Sequence, residues 1–323
     1  MPASRPTNNR VAFAFACVYL IWGSTYGAIR IASLHLEPPL VGAMRSLLSA
    51  VLMGAICLVR GTSLRVTRQA AWQLALVGVL FMSVNNVLLI WAETKVATGY
   101  ASLIIAMIPI MVALIETALP NGETLNLRGW LGTLLGAVGI FALVWPSLRA
   151  AIGDRAAGLT QRSGSLAGFA ILMVAALAFA VASVLARRFH FQVDTFVATA
   201  WQIGAAGVVN LTVALLAGSF RTAVWTRTGL AAIAYLSVFG SIVGLTAYTY
   251  LLKHVPVTKV STYAFVNPVI AVLLGILVFH ERLAPAEIAG SIIILIAVAT
   301  VILSRTKSAP PPTDPIREVP IEE

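Results

Sequence analysis

Few side chains in this 323-residue sequence can carry a charge or a strong dipole into apolar surroundings, and those few bound its chemistry. Arg45 stands inside the apolar run 39–59, where its guanidinium could offer a two-pronged hydrogen-bonding fork to a carboxylate or phosphate. A charge at membrane depth costs roughly 2.5–3.5 kcal/mol on insertion scales, so it belongs against a cavity or a partner. Snorkelling to the outer surface or capping a neighbouring helix is the other reading of Arg45. Glu116 is the only carboxylate well inside an apolar run and is the candidate for coupling to protons, a role that needs burial. Its distance of about one turn from Pro120 favours an interfacial or ion-paired role over that one. Lys259, about a turn into its own run, carries the same choice between function and snorkelling.

Uncharged polar and aromatic groups at comparable depth complete the candidate binding set. They are Trp22, Ser24, Thr25 and Tyr26 in the first run, Asn85 and Asn86 in the third, and Tyr100 and Ser102 in the fourth. Later in the chain come Ser183, Trp201, Gln202, Tyr248, Tyr263 and Asn267. A lone Ser or Thr usually bonds to its own helix, and Trp or Tyr near a helix end usually belongs to the interfacial belt. The pair Asn85-Asn86 fits neither habit, because two amides inside an apolar helix need partners. Pro109 and Pro268 fall mid-run, where each removes a backbone donor and tends to kink its helix, so they are candidate hinges.

Other chemistries lack their residues. The histidines His35, His190, His254 and His280 are scattered, with no HExxH or Cys/His metal spacing and no phosphate-binding GxxxxGK[ST] loop. No cofactor, metal or catalytic set is expected. Cys17 and Cys57 both lie in apolar runs and read as buried thiols. The net charge of +10 comes from Lys and Arg placed singly or in pairs between apolar segments. That is the distribution of topology signals, so no nucleic-acid partner is expected.

The elements that must position these residues are helices in a bilayer. Hydrophobic residues make up 59% of the chain and charged ones 11%, with mean hydropathy +0.92, too little polar material to cover a soluble domain. A span needs about 20 mostly apolar residues. Ten such runs are present: 11–33, 39–59, 71–92, 98–119, 127–145, 165–186, 195–217, 229–251, 256–279 and 284–303. Residues 1–10 form a short polar tail, 146–164 a Gly- and Arg-containing connection, and 304–323 a Pro-rich tail expected to be disordered. The first run is longer than a signal-peptide core and reads as a retained helix. With both termini in the cytoplasm, thirteen basic residues fall inside and eight outside, which favours that orientation.

The two halves, 11–145 and 165–303, repeat one another. An offset of 159 brings Val96 onto Val255, Ser102 onto Ser261 and Pro109 onto Pro268; 158 aligns Glu123 with Glu281; 157 brings Arg30 onto Arg187 and Arg45 onto Gln202. Glu123 and Glu281 stand just before the fifth and tenth runs, where a helix N-terminus favours a carboxylate. Five helices per half is odd, so the second copy must enter the membrane from the opposite side. The expectation is an all-α integral membrane protein of ten transmembrane helices in two inverted five-helix repeats, with a central site that can alternate between the two faces.

Three blocks, VYLIWGSTYGAIR in the first run, NGETL after the fourth and NPVIAVLLGILVFHERL near the end, resemble the EamA-type branch of the drug/metabolite transporter superfamily. The resemblance covers both copies; Arg282 departs from the first copy, which has Thr124. It implies cytoplasmic termini, a bacterial inner-membrane location, and export or exchange of amino-acid-like, nucleobase-like or drug-like solutes. The expected partners are a small-molecule substrate and the lipid bilayer, with a homodimer possible. A passive facilitator, or an intramembrane lipid-modifying enzyme, are the rival readings.

Overall fold

The computed structural model describes residues 8–120, 122, 124–152, 166–189, 191–255, 260, 262–281 and 285–304. Its principal helices are α1 (Asn9–Ser33), α2 (Pro38–Val59), α3 (Arg68–Glu93), α4 (Thr98–Ala118) and α5 (Leu127–Ile152) in the first half. The second half supplies α6 (Leu166–Arg188), α7 (Thr195–Leu216), α8 (Arg227–Leu251), α9 (Tyr263–Phe279) and α10 (Pro285–Ser304). Among the described residues nine of these are long and apolar enough to cross a membrane, and α9 is a shorter apolar helix. The fifth helix runs past its expected end at 145 to Ile152, so residues 146–152 of the connecting segment are helical.

Local chemistry sets the helix ends. Thr67 accepts a hydrogen bond from the Ala70 amide at the start of α3, Asp194 accepts from Phe196 and Val197 at the start of α7, and Thr226 accepts from Gly229 at the start of α8. Gly61 (φ 66°) and Gly218 (φ 70°) stop α2 and α7 in the left-handed conformation that lets the chain turn back on the last carbonyls. The closing bonds are Thr62 N to Cys57 O at 2.9 Å and Ser219 N to Ala214 O at 3.0 Å. Those two turns stand one repeat apart.

Packing shows the inverted relation directly. Helix α2 lies against α7, α4 against α9 and α5 against α10, each helix on its own repeat partner. Every one of these pairs is antiparallel. Glu37 before α2 reaches Ser219 and Thr222 beyond α7, whereas Arg60 at the other end stacks over the Phe196 ring at 4.4 Å. Glu281 after α9 reaches the start of α4 at Thr98, and Gly129 at the start of α5 meets Ser304 at the end of α10. Between the halves, α1 packs on α8 and α9 while α6 packs on α3 and α4, so exchanging the halves reproduces the same set of contacts.

Small residues decide how closely these helices approach. On α5, Gly132, Gly136 and Gly139 face Val301, Ala297 and Ile294 of α10, and Gly290 of α10 lies against the α5 backbone at Leu143. The other side of α5 exposes Leu131, Leu134, Val138 and Phe141 at helical spacing, a stripe for lipid.

Outside the spans, the Glu37 carboxylate accepts from the hydroxyls of Ser219 (2.6 Å) and Thr222 (2.8 Å), which hold it below the usual carboxylate range. A depressed acid stabilises the folded state above its unfolded pKa and loses that contribution as pH falls through the folded one. Glu37→Gln is therefore expected to lower the melting temperature slightly near neutral pH and not below about pH 4. Thermal unfolding of both proteins at the two pH values checks it.

Candidate functional site

Two helices depart from α-geometry at the middle of the bundle. Residues Val79–Asn85 of α3 and Leu236–Val243 of α8 are π-helical, and the two segments begin one repeat apart. A π turn widens the helix and loosens its own ladder, so backbone carbonyls become available to other donors. Side chains take them. Asn210 donates to Met82 O at 3.1 Å, Ser49 to Ser237 O at 3.1 Å and Trp22 Nε1 to Gly240 O at 3.2 Å. A third π segment, Cys17–Ile21, interrupts α1.

Beside these segments lies a central cavity with about 680 Å³ of empty space, part of it open to solvent. Its wall is drawn from both halves: Trp22, Thr25, Tyr26 and Ile29 of α1, Arg45 of α2, and Phe81, Met82, Asn85, Asn86 and Leu89 of α3. Ile105 and Ile108 of α4, Phe179 of α6, Gly240 and Leu245 of α8, and Tyr263 and Asn267 of α9 complete it. Helices α5, α7 and α10 contribute nothing to this wall among the described residues.

Arg45 is the one cation on the wall, and it is 5% exposed. Its Nε donates to Ser241 Oγ at 2.8 Å and its Nη1 to Asn86 Oδ1 at 2.7 Å, so the guanidinium is turned inward and held flat. Among the described residues no carboxylate forms an ion pair with it. Gly240 leaves room for Nη2, which would lie 3.1 Å from a Cβ added there. The guanidinium is thus a positioned, uncompensated charge on a cavity wall, which suits an incoming anion.

The amides divide their work. Asn85 donates to Ala175 O of α6 at 2.9 Å, tying the halves together, whereas Asn86 orients Arg45. Asn267 is 6% exposed and its Oδ1 accepts no hydrogen bond, leaving an acceptor free on the α9 side. Part of the wall is aromatic. Trp22 meets Tyr263 and Phe179 edge-on, with centroids 5.5 and 6.4 Å apart, and Phe179 meets Phe81 at 4.6 Å.

Of the expected binding residues, the structure gathers Trp22, Thr25, Tyr26, Arg45, Asn85, Asn86, Tyr263 and Asn267 around this cavity. Tyr248 stands behind the wall, its ring tilted 40° against Trp22 with centroids 5.0 Å apart. The remaining candidates point elsewhere. Ser24 bonds to Leu20 O and to the Tyr235 hydroxyl, and Ser102 bonds to Gly99 O of its own helix. Tyr100 is fully buried away from the cavity, Gln202 lies against the backbone of Gly78, and Trp201 is 37% exposed and donates to Leu64 O. All five have suitable depth along their helices but face the wrong way around them.

Glu116 meets Arg187 at 3.6 Å and Arg188 at 3.5 Å, off the cavity wall, as an ion-paired carboxylate joining α4 to α6. Lys259, Glu123 and His190 lie outside the described residues. The expected hinges differ from one another. Helix α4 breaks at Ala106 and Met107 just ahead of Pro109, whereas α9 runs from Tyr263 through Pro268 to Phe279 without interruption. Glu281 serves a different helix from the one expected: its carboxylate accepts from the Thr98 and Gly99 amides and caps α4. The electrostatic reason is the expected one, a carboxylate at positive helix-end dipoles, but the α4 terminus is the one within reach.

Sequence reasoning passed over Phe179, Gly240 and Ser241. Phe179 had a signal, since it is one repeat from Trp22 at the same offset that aligns Arg30 with Arg187. Gly240 and Ser241 read as ordinary packing residues, and only the π segment turns them toward Arg45.

Comparison with known proteins agrees with this architecture. The sequence matches the EamA-like transporter family twice, over residues 9–145 and 166–303. It is 33% identical to an uncharacterised inner membrane transporter, YedA, of Escherichia coli (strain K12), over 90% of each chain. It is 24% identical to an uncharacterised transporter, YvbV, of Bacillus subtilis (strain 168), over 93% of each. A solved crystal structure of a protein 20% identical in sequence superposes with a TM-score of 0.64, covering 94% of this chain and 99% of that one, which supports the fold. Two inverted copies of one five-helix unit, each matching the same family, make this chain a multi-pass membrane protein of the EamA-like transporter family.

Proposed function

We propose that the chain is a secondary transporter that moves a small organic solute by alternating access, as an exporter or exchanger, with both termini in the cytoplasm of a bacterial inner membrane. The solute is an amino-acid-like, nucleobase-like or drug-like metabolite, and the site favours one bearing a carboxylate or similar anionic group together with an apolar part. One observation carries the reading: Arg45 presents an uncompensated guanidinium to a cavity built from both inverted halves. The anionic group docks on Arg45, the apolar part lies against Trp22, Phe179 and Tyr263, and a donor on the solute reaches Asn267 Oδ1. Helices α1–α4, α6, α8 and α9 enclose the solute, while α7, expected from the repeat to join them, stays behind the wall and α5 and α10 brace the bundle from outside.

The test is flux in proteoliposomes holding the purified full-length protein. A panel of labelled amino acids, nucleobases and organic acids is offered with and without unlabelled solute on the opposite side and with and without a pH gradient. Saturable flux that is accelerated by solute on the far side is expected for a carboxylate-bearing member of the panel. Flux that neither saturates nor responds to the far side would identify a passive facilitator and overturn the carrier reading.

A further inference from the structure

One buried ionisable group has no role in the cavity just described. Glu93, the last residue of α3, is fully buried, and among the described residues neither of its carboxylate oxygens has a hydrogen-bond partner. The Thr98 hydroxyl, equally buried at the start of α4, is also unpartnered. An ionised carboxylate without hydrogen bonds or a counter-charge is among the most expensive groups to bury, so the neutral acid is the form that fits this site.

The groups at this end of the bundle make the choice sharper. Helix α1 brings Tyr26, Arg30 and His35; α2 is preceded by Glu37; α4 and its approach bring Lys95 and Tyr100; and α9 ends in His280 and Glu281. The α6 helix, also packed on this part of α3, has no titratable side chain between Leu166 and Ala186. Arg30 is a cation in contact with Glu93, yet its Nη1 donates at 2.6 Å to the main-chain carbonyl of Glu93. Glu281 is close enough for its negative charge to act on Glu93, and it is itself committed to the Thr98 and Gly99 amides. Tyr26, whose other side lines the cavity, is within electrostatic reach of Glu93 and connects the two places.

We propose that Glu93 is the proton-binding residue of this transporter and that its protonation locks the end of the bundle where α1, α3, α4 and α9 meet. The inference rests on the transporter reading above. In the locked form the carboxyl is neutral, Arg30 holds the Glu93 carbonyl, and the end is closed. When the proton leaves to water entering from that end, the new carboxylate attracts Arg30 away from the carbonyl, and the start of α4 loosens. Proton release and opening are then one event, which is what coupling a solute to a proton gradient requires.

The experiment uses the full-length protein in lipid nanodiscs with no solute added. Infrared difference spectroscopy follows the protonated-carboxyl band, and hydrogen–deuterium exchange follows residues 94–102, each across about pH 5.5 to 9 and corrected for intrinsic exchange. The wild type is expected to carry a carboxyl band at neutral pH that disappears as pH rises. Exchange in 94–102 should rise about tenfold over the same interval, the effect of about 1.4 kcal/mol of opening free energy. Glu93→Gln is expected to lack the band and to keep low exchange throughout, and Glu93→Met should behave alike if the glutamine variant does not fold. Arg30→Gln removes the counter-charge of the ionised form and should move the transition to higher pH.

A wild type without the band at neutral pH, or a band that persists in Glu93→Gln, overturns the proposal. So does unchanged pH-dependent exchange in either Glu93 variant. Because these readouts need no transported solute, they fail independently of the carrier reading, whose failure would appear as absent saturable flux in the panel.

Discussion

Replacing Arg45 with alanine is expected to raise the apparent KM for every transported anionic or zwitterionic solute by about thirtyfold or more, while neutral solutes are little affected. The magnitude follows from the cost of truncating one partner of a buried, hydrogen-bonded charge pair, about 2–5 kcal/mol. Arg45 meets the conditions for a cost within that range. It is 5% exposed, fixed by Ser241 and Asn86, and among the described residues has no carboxylate ion-paired with it. Arg45→Lys should recover only part of the affinity, because one ammonium cannot hold Ser241 and Asn86 and still offer a flat fork to a carboxylate. Concentration-dependent flux in proteoliposomes measures the effect, and melting temperature separates a lost site from a lost fold. Unchanged affinity for all anionic and zwitterionic solutes would remove Arg45 from the site.

The largest structural effect is expected at Gly78 on α3. A Cβ there would lie 2.2 Å from the carbonyl oxygen of Gln202 and 2.5 Å from its Cα, so main chain meets main chain with no side chain able to give way. Gly78→Ala must push α3 from α7, and overpacking of this kind costs about 1–3 kcal/mol or more. A clear drop in melting temperature is expected, together with weakened flux, since α3 carries the π segment and Asn86. Gly54→Ala on α2 is the matched control, because nothing lies within 4 Å of its added Cβ, and it should melt like the wild type. Equal melting of the two variants would show that α3 and α7 do not depend on this approach. The repeat position of Gly78 is occupied by Tyr235, whose hydroxyl pairs with Ser24. The two halves therefore share their contacts but not their closeness, and only the α3–α7 side needs a glycine.

Sequence reasoning reached some residues and missed others for one physical reason. Along a membrane helix, hydropathy reports depth, because the ends meet water and the middle does not. Around the helix it reports little, because lipid and protein interior are both apolar. Trp22, Tyr26, Asn86 and Asn267 were therefore placed at the correct depth alongside Ser24, Tyr100, Ser102 and Trp201, with nothing to separate the first set from the second. Arg45 and the Asn85-Asn86 pair stood out because a charge and adjacent amides are costly enough to demand partners.

Glu93 escaped for the complementary reason. It stands where an apolar run ends, a place where a carboxylate normally meets water. Only the closing of α1, α4 and the end of α9 over it makes it fully buried.

The sequence alone determined the membrane environment, the ten helices, the repeat and its inversion, because each follows from apolar length, spacing and an odd helix count. The tertiary structure decided what each polar residue faces. The π segments turn Gly240 and Ser241 toward Arg45, and antiparallel pairing of repeat partners brings Glu281 to the start of α4. Which neighbour a side chain meets depends on helix rotation and close approach, set by contacts between residues far apart in the chain. The local pattern of apolar and polar residues carries no record of them.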